Sequence, residues 1–133
     1  MIVVDTNVIA YLLSRGPNAL IAEACRRADP DWHVPVLWRS EYRNVLALEM
    51  RRGMITLAVA QARFERARRQ LSATELEPDG VLVLELASHS GLTAYDCEFV
   101  AVARQVGKRL VTADRAIVRA FAETAVLLEE FAA

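Results

Sequence analysis

Residues 1–7 of the chain read MIVVDTN, in which the apolar run Ile2–Val4 ends abruptly at Asp5. Residues branched at Cβ favour a strand, and Thr6 and Asn7 favour the start of a helix. Asp5 would therefore stand just beyond the carboxyl end of a strand, where parallel sheets bind their ligands. This stretch predicts an α/β fold with a polar site that begins at Asp5.

Short hydrophobic runs alternate with helical periodicity along the rest of the chain, which predicts a central parallel sheet with helices on both faces. A length of 133 residues with 54% hydrophobic composition predicts one domain, residues 1–133. Residues 81–88 fit a strand or a helix, and the neighbouring helices favour a helix. The predicted strands are 2–4, 32–36, 109–112 and 125–128; the predicted helices are 6–13, 19–28, 39–51, 57–71, 81–88, 94–106 and 115–121.

Composition excludes several classes of protein. No uncharged stretch approaches the roughly 18 residues that a membrane span requires. The first strand begins at once, without a basic segment or cleavage site, so we expect no signal peptide, no membrane association and a cytoplasmic protein. Two cysteines (25 and 97) and two histidines (33 and 89) are isolated in the sequence, which argues against a disulfide or a zinc site.

Three more carboxylates occupy positions like that of Asp5. Asp114 follows the strand predicted at 109–112 by two residues, while Glu41 and Asp96 lie in the first turn of predicted helices, on the apolar face. Burying a carboxylate is unfavourable by several kcal/mol unless something compensates it. The alternative is that Glu41 and Asp96 are ordinary first-turn acids and that Asp5 caps a helix, but four such acids without a matching buried base indicate a bound cation.

A ligand set made only of oxygen atoms suits Mg²⁺ or Mn²⁺. One or two such ions that hold a phosphate can activate a water molecule and stabilise the leaving oxygen, so the acids predict phosphodiester hydrolysis. Polar residues beside the acids are expected to hold them by hydrogen bonds, although capping and turn formation explain them equally well. These residues are Thr6, Asn7, Ser40 and Thr112.

Basic residues permit a nucleic-acid partner without establishing one. The net charge is −1, and setting aside the four candidate ligands leaves +3 on the other residues. Arg39, Arg43 and Arg115 flank the acids and are the predicted phosphate contacts. The arginines at 63, 66, 68 and 69 fit either an RNA path or a solvated helix face.

Four segments of the sequence resemble the motifs of PIN-domain ribonucleases, and their order and spacing look most like those of the VapC toxins of bacterial toxin–antitoxin pairs. The resemblance spans essentially the whole chain. Its segments are Asp5-Thr6-Asn7, Ser40-Glu41 with Asn44-Val45-Leu46, Thr93-Ala94-Tyr95-Asp96 and Val111-Thr112-Ala113-Asp114-Arg115.

This resemblance implies a three-layer PIN-like fold, RNA cleavage that depends on Mg²⁺ or Mn²⁺, a homodimer and inhibition by a cognate antitoxin. It assigns the catalytic and metal-binding roles to Asp5, Glu41, Asp96 and Asp114. Glu98 lies too far round its helix to replace Asp96, and its position fits the rim of the site. The alternative is a catalytically silent PIN fold that serves as an RNA- or protein-binding module. All four acids are present, which favours the enzyme.

Overall fold

Five parallel strands form one sheet at the centre of this computed structural model, which describes all 133 residues. The spatial order is β3-β2-β1-β4-β5, so the first strand lies in the middle and the chain builds outward from it in both directions. The strands are β1 (Ile2–Val4), β2 (Trp32–Pro35), β3 (Glu75–Leu76), β4 (Leu110–Thr112) and β5 (Ala125–Leu127).

Eight helices cover the two faces of this sheet, which confirms the predicted three-layer α/β fold. The helices are α1 (Thr6–Leu13), α2 (Pro17–Ala28), α3 (Trp38–Arg51), α4 (Leu57–Leu71), α5 (Gly80–Ser90), α6 (Ala94–Val106), α7 (Arg115–Ala120) and α8 (Leu128–Ala132). The helix α6 packs on β1, β2 and β4 with α5 against it, whereas α1 packs against α2 and α3. None of the helices is both long and apolar enough to cross a bilayer.

The central strands are buried on both faces, which explains why they read as unbroken apolar runs rather than alternating ones. Val3, Val4, Leu110 and Val111 are wholly inaccessible to solvent. Each such side chain contributes roughly 1.5–3 kcal/mol when it leaves water. Burial on both faces therefore stabilises the sheet where β1 and β4 end.

Helix boundaries follow the local signals in the sequence. Thr56 caps α4 by accepting a hydrogen bond from the backbone N–H of Val59 at 3.2 Å. Gly107 ends α6 with φ of 67°, a left-handed conformation that favours glycine.

Two elements escaped the sequence analysis. β3 has only two residues and lacks the side chains branched at Cβ that indicate a strand. The last predicted strand was placed one residue too far, because Leu128 begins α8, a helix of five residues that is too short to show a periodic pattern.

A partly buried ion pair secures the short edge strand β3. Arg39 donates from Nε and Nη2 to the two carboxylate oxygens of Glu75 at 2.7 and 2.6 Å, and the indole of Trp38 donates to Glu75 Oε2 at 2.8 Å. The hydrogen bond from Arg39 lowers the pKa of Glu75 against the opposing effect of burial. Arg39 was predicted to contact phosphate; in the structure its guanidinium is instead engaged in joining α3 to β3.

We expect Arg39→Met to lower the free energy of unfolding by about 1–2 kcal/mol, because it leaves the Glu75 carboxylate short of partners in a site that is only 15% exposed. Arg68→Met is the matched control, since the Arg68–Glu65 pair has side chains 41% and 51% exposed and its loss should leave the denaturation midpoint close to that of the wild type. Urea denaturation of both variants measures the difference. Equal midpoints would show that the Arg39 pair has no special structural role.

Candidate acidic active site

Asp5 and Asp114 meet at one edge of the sheet because β1 and β4 are adjacent and parallel. The backbone N–H of Asp5 donates to the carbonyl of Val111 at 3.0 Å, which fixes Asp5 beside the end of β4. The Thr112 hydroxyl then connects the two acids: it donates to Asp5 Oδ2 at 2.8 Å and accepts from the N–H of Asp114 at 3.0 Å. The Thr112 hydroxyl therefore holds the backbone of Asp114 beside the Asp5 side chain at the carboxyl ends of β1 and β4.

Thr6 connects Asp5 to Glu41, the acid on α3. Its backbone N–H donates to Asp5 Oδ1 at 2.7 Å, and its hydroxyl donates to Glu41 Oε1 at 2.7 Å. Glu41 lies in the first turn of α3 and is half-buried. One threonine thus orients carboxylates from two separate elements.

Asn7 adds a weaker link between β1 and β4. Its amide donates to Asp5 Oδ2 at 3.4 Å, and its side-chain oxygen accepts from the N–H of Ala113 at 3.1 Å. Three of the four residues expected to support the acids therefore do so by direct hydrogen bonds. The fourth, Ser40, is exposed and accepts only from Arg43 Nη2 at 3.3 Å, so it contacts none of the four carboxylates.

Asp96 enters the site from α6, on the other face of the sheet. The hydroxyl of Thr93, the N-cap of this helix, accepts from the N–H of Asp96 at 3.1 Å and fixes the first turn. Thr93 had no predicted role, although a threonine three residues before an acid is a recognisable capping signal.

Two of the four acids also cap helices, as the alternative explanation held. Asp5 caps α1, and Asp114 caps α7 by accepting from the N–H of Ala116 at 2.8 Å. Capping occupies Oδ1 of Asp114 and makes no hydrogen bond to Oδ2. A cap and a ligand are compatible roles for such a carboxylate, because it has two oxygens and about four lone pairs.

Burial strongly raises the pKa of Asp5, a residue that is only 7% exposed. Loss of solvent raises its pKa from 3.8 to about 7, and repulsion from Glu41 and Asp96 adds to the increase, against the opposing hydrogen bonds from Thr112 and Thr6. Asp5 therefore carries a negative charge at neutral pH only at an energetic cost, unless a cation compensates it.

The other acids are coupled to Asp5 and to one another. Burial, followed by repulsion from Asp96 and Glu98, raises the pKa of Glu41. Burial also raises the pKa of Asp96, with a further contribution from Asp114. Glu98, whose pKa is raised by burial alone, thus joins the cluster through Glu41. The sequence placed Glu98 only at the rim, because its position on the helix does not reveal what lies across from it.

No basic side chain neutralises this acidic cluster, which we define as Asp5, Glu41, Asp96, Glu98 and Asp114. Each ion pair in the structure involves other carboxylates. Buried or half-buried charges are normally paired with a base or with a metal ion. The cluster thus has the electrostatic character of a cation site.

The donor set fits Mg²⁺ or Mn²⁺ in chemistry, and its geometry is open. All the donors are carboxylate oxygens, yet no three acidic, thiol or imidazole side chains lie close enough together to enclose an ion by themselves. Mg²⁺ commonly retains several water molecules and takes only one or two carboxylates directly. An open arrangement of this kind suits a hydrated ion better than a closed protein cage.

Arg43 and Arg115, the remaining predicted phosphate contacts, are both exposed. The Arg43 guanidinium lies over the ring of Phe64 at 5.3 Å. Arg115 Nη2 donates to Glu129 Oε1 at 2.8 Å, but both side chains are more than half exposed. Such a surface pair contributes little and exchanges readily for another anion.

Known structures share this architecture. The crystal structure of PAE2754 from Pyrobaculum aerophilum is 25% identical with a TM-score of 0.78, over 98% of this chain and 92% of that chain. FitAcB from Neisseria gonorrhoeae is 23% identical with a TM-score of 0.74, over 96% of each chain. A structure of FitAB bound to an IR36 DNA fragment is 20% identical with a TM-score of 0.75, over 97% of this chain and 96% of that chain.

A search of curated proteins gave no significant match. The family model of the PIN domain, in contrast, matches residues 2–125, which include β1 to the first residue of β5 and all five members of the acidic cluster. With the parallel sheet and the acids at the ends of β1 and β4, this match shows that the chain belongs to the PIN domain family.

Proposed function

We propose that this protein is a metal-dependent endoribonuclease that hydrolyses RNA phosphodiester bonds, and that it acts as the toxin of a type II toxin–antitoxin system. The observation that carries the nuclease proposal is the acidic cluster, in which Asp5 is almost completely buried and no basic side chain is paired with any member. Proteins of the PIN domain family are generally nucleases, which agrees with this chemistry.

Asp5, Glu41, Asp96 and Asp114 would hold Mg²⁺ or Mn²⁺. When bound, such an ion polarises a phosphoryl oxygen and lowers the pKa of a coordinated water. The side chains of Thr6 and Thr112 fix the carboxylates of Glu41 and Asp5 by hydrogen bonds of 2.7 and 2.8 Å. Carboxylates fixed in this way need little reorganisation, which favours a productive arrangement of the phosphate.

RNA as the substrate rests on the resemblance to PIN-domain ribonucleases. Single-stranded or loop RNA is the expected form, because its backbone and bases are accessible. Arg43 and Arg115 are exposed and follow Glu41 and Asp114 closely in the sequence, and they would contact the phosphates that flank the cleaved bond.

The partners are proposed on the same basis. A cognate antitoxin would inhibit the enzyme by covering the acidic cluster, with an arginine paired to its carboxylates. A homodimer is supported by the outer surface of α5, where Val81 and Leu84 are 79% and 67% exposed. A cytoplasmic location would follow from a role in cutting cellular RNA.

One observation favours a second candidate, a PIN fold that binds RNA or protein without cleaving it. Asp5 and Asp114 both cap helices, so a catalytically silent descendant would have a structural reason to retain them. Glu41 and Asp96 do not cap a helix in this way. These two acids therefore distinguish the candidates best.

We expect Asp96→Asn to reduce RNA cleavage by at least about two orders of magnitude, because it removes one charge from the metal-binding set at nearly constant volume. Asp79→Asn is the matched control: Asp79 caps α5, belongs to no ion pair and lies outside the acidic cluster. Cleavage of a labelled single-stranded RNA in Mg²⁺ or Mn²⁺, with a chelator control, measures both.

Cleavage by Asp96→Asn at the wild-type rate, from protein free of contaminating nuclease, would refute the site. His33→Ala and His89→Ala should cleave normally, since His89 is exposed and His33 pairs with Asp31 away from the acids. Loss of activity in either folded variant would reveal a general acid or base outside the cluster.

Thermal melts at two pH values test whether the carboxylates of the acidic cluster repel one another. The raised pKa of Asp5 means that the folded protein binds more protons than the unfolded chain between pH 3.8 and about 7, so its contribution to stability falls as pH rises through this window. In chelator at about pH 8, Asp96→Asn should melt at or above the wild-type temperature, and its advantage should shrink near pH 5, where Asp5 is protonated.

Adding Mg²⁺ or Mn²⁺ should reverse the order of the two melting temperatures, so that the wild type melts above Asp96→Asn. A cation at a hundredfold excess over its Kd stabilises the folded wild type by roughly 2.7 kcal/mol, which corresponds to several degrees, and Asp96→Asn should lose most of that gain. Asp79→Asn should respond to metal like the wild type. If the wild type ignores metal and Asp96→Asn is destabilised in chelator at both pH values, these acids do not form one cation site.

Expression of the chain alone in bacteria should arrest growth, and Asp96→Asn should abolish the arrest because cleavage of cellular RNA causes it. Co-expression of the product of a small neighbouring gene should restore growth, and the two proteins should co-purify. Viable counts after induction measure the effect. Arrest that persists with Asp96→Asn would separate toxicity from cleavage and favour the binding module.

A further inference from the structure

A second polar cleft, of about 600 Å³, lies between the carboxyl end of α1 and the helices α2 and α4. We call it the arginine cleft because four arginines line it, together with a single acid, Glu23. The arginines are Arg15 beyond α1, Arg26 on α2, and Arg63 and Arg66 on α4.

Positive charge in the arginine cleft is largely uncompensated. Arg15 and Arg66 belong to no ion pair. Arg63 makes one ion pair, a long one of 3.4 Å to Glu49, and Arg26 donates to the neutral side chain of Gln70 at 2.5 Å. Four positive charges near one acid stand out in a chain whose net charge is −1, so this surface attracts anions.

The structure also separates arginines that the sequence left equivalent. Arg68 is held by Glu65 through hydrogen bonds of 3.0–3.3 Å and does not line the cleft. Arg63 and Arg66 do line it. The helix α4 thus presents some of its arginines to the cleft and retains another in a local ion pair.

We infer that the arginine cleft binds the phosphate backbone of a single-stranded nucleic acid, as a contact area separate from the acidic cluster. The fork of an arginine side chain matches the oxygens of a phosphate, and backbone-tracking grooves are typically lined by such residues. A docked peptide helix would need a row of apolar anchors, whereas only Leu12, Leu13 and Val59 in the cleft are hydrophobic. The lining therefore favours a polyanion over a protein partner.

The position of the cleft suits an RNA strand that also reaches the acidic cluster. Asp5 caps the start of α1, and the cleft begins at the opposite end of this eight-residue helix. At 1.5 Å per residue the two sites are about 12 Å apart along the helix axis, a distance that a few nucleotides span. This link rests on the proposed function, whereas binding by the cleft is measurable without cleavage.

The test uses full-length protein carrying Asp96→Asn, in chelator, and a fluorescent single-stranded RNA oligonucleotide of mixed sequence. The double substitution Arg15→Gln with Arg66→Gln should raise the Kd roughly tenfold at moderate salt, and should lower the slope of log Kd against log salt by about 1.4, or 0.7 for each lost contact. Fluorescence anisotropy over a salt series measures both quantities.

The matched control is Arg27→Gln with Arg69→Gln, which removes the same charge from α2 and α4 at exposed positions outside the cleft lining. It should change the Kd less than twofold, and melting curves should show both double variants folded. Equal weakening by the two pairs would mean general attraction to a basic surface and would overturn the proposal, as would no weakening by either.

Two further probes define the ligand. Single-stranded DNA of the same sequence should compete for the cleft, because the proposed contacts are to phosphate rather than to the 2′-hydroxyl. Polyglutamate should compete poorly. If polyglutamate instead binds in a manner that depends on Arg15 and Arg66 while RNA does not, the cleft serves an acidic protein and the inference is wrong. Binding without any cleavage by the wild type would refute the proposed function and leave the arginine cleft intact.

Discussion

The position of Asp5 at the end of the central strand is the constraint on which the rest of the site depends. Its backbone N–H continues the pairing of β1 with β4, its Oδ1 caps α1, and its Oδ2 accepts from the Thr112 hydroxyl. These three interactions come from the sheet, the following helix and the neighbouring strand. Asp5 is thereby fixed in a place where solvent cannot stabilise its charge, and the remaining acids are arranged around it.

Without a bound cation, this arrangement lowers the stability of the folded chain whenever Asp5 is ionised. Hydrogen bonds from Thr112 and Thr6 favour the ionised form of Asp5, but burial and two neighbouring carboxylates outweigh them and raise the pKa to about 7. A protein selected only for stability would replace such a residue or pair it with a base. The cluster instead leaves its acids without a basic partner, and the divalent cation of the proposed function would relieve that repulsion.

Charge is distributed unevenly over the fold. Five acids without a basic partner lie around the carboxyl ends of β1 and β4, and four arginines line one cleft at the far end of α1. Other acids and bases form local pairs, such as Arg104–Glu123 and Arg68–Glu65. The near-zero net charge of the chain therefore conceals two sites of opposite sign.

Local signals in the sequence were sufficient for most of the fold and for the four acids. An apolar run that ends at Asp5, a second that is followed by Asp114, and two first-turn acids on apolar faces are all readable from spacing, because strand and helix periods are properties of adjacent residues. The same signals predict Thr6, Asn7, Ser40 and Thr112 as supports, and all of these except Ser40 bond to the acids. They miss β3 and α8, which are too short to show any period.

Only the tertiary structure decided which residues meet across elements. It assigned Arg39 to Glu75 rather than to phosphate, separated Ser40 from the acids, brought Glu98 near Glu41, and placed Arg63 and Arg66 in a cleft with Arg15. Each of these contacts joins residues from different elements or depends on how one helix faces another. By itself the sequence determined which residues are charged and which face of each element is apolar; the packing of the helices on the sheet determined which charges remain without a partner.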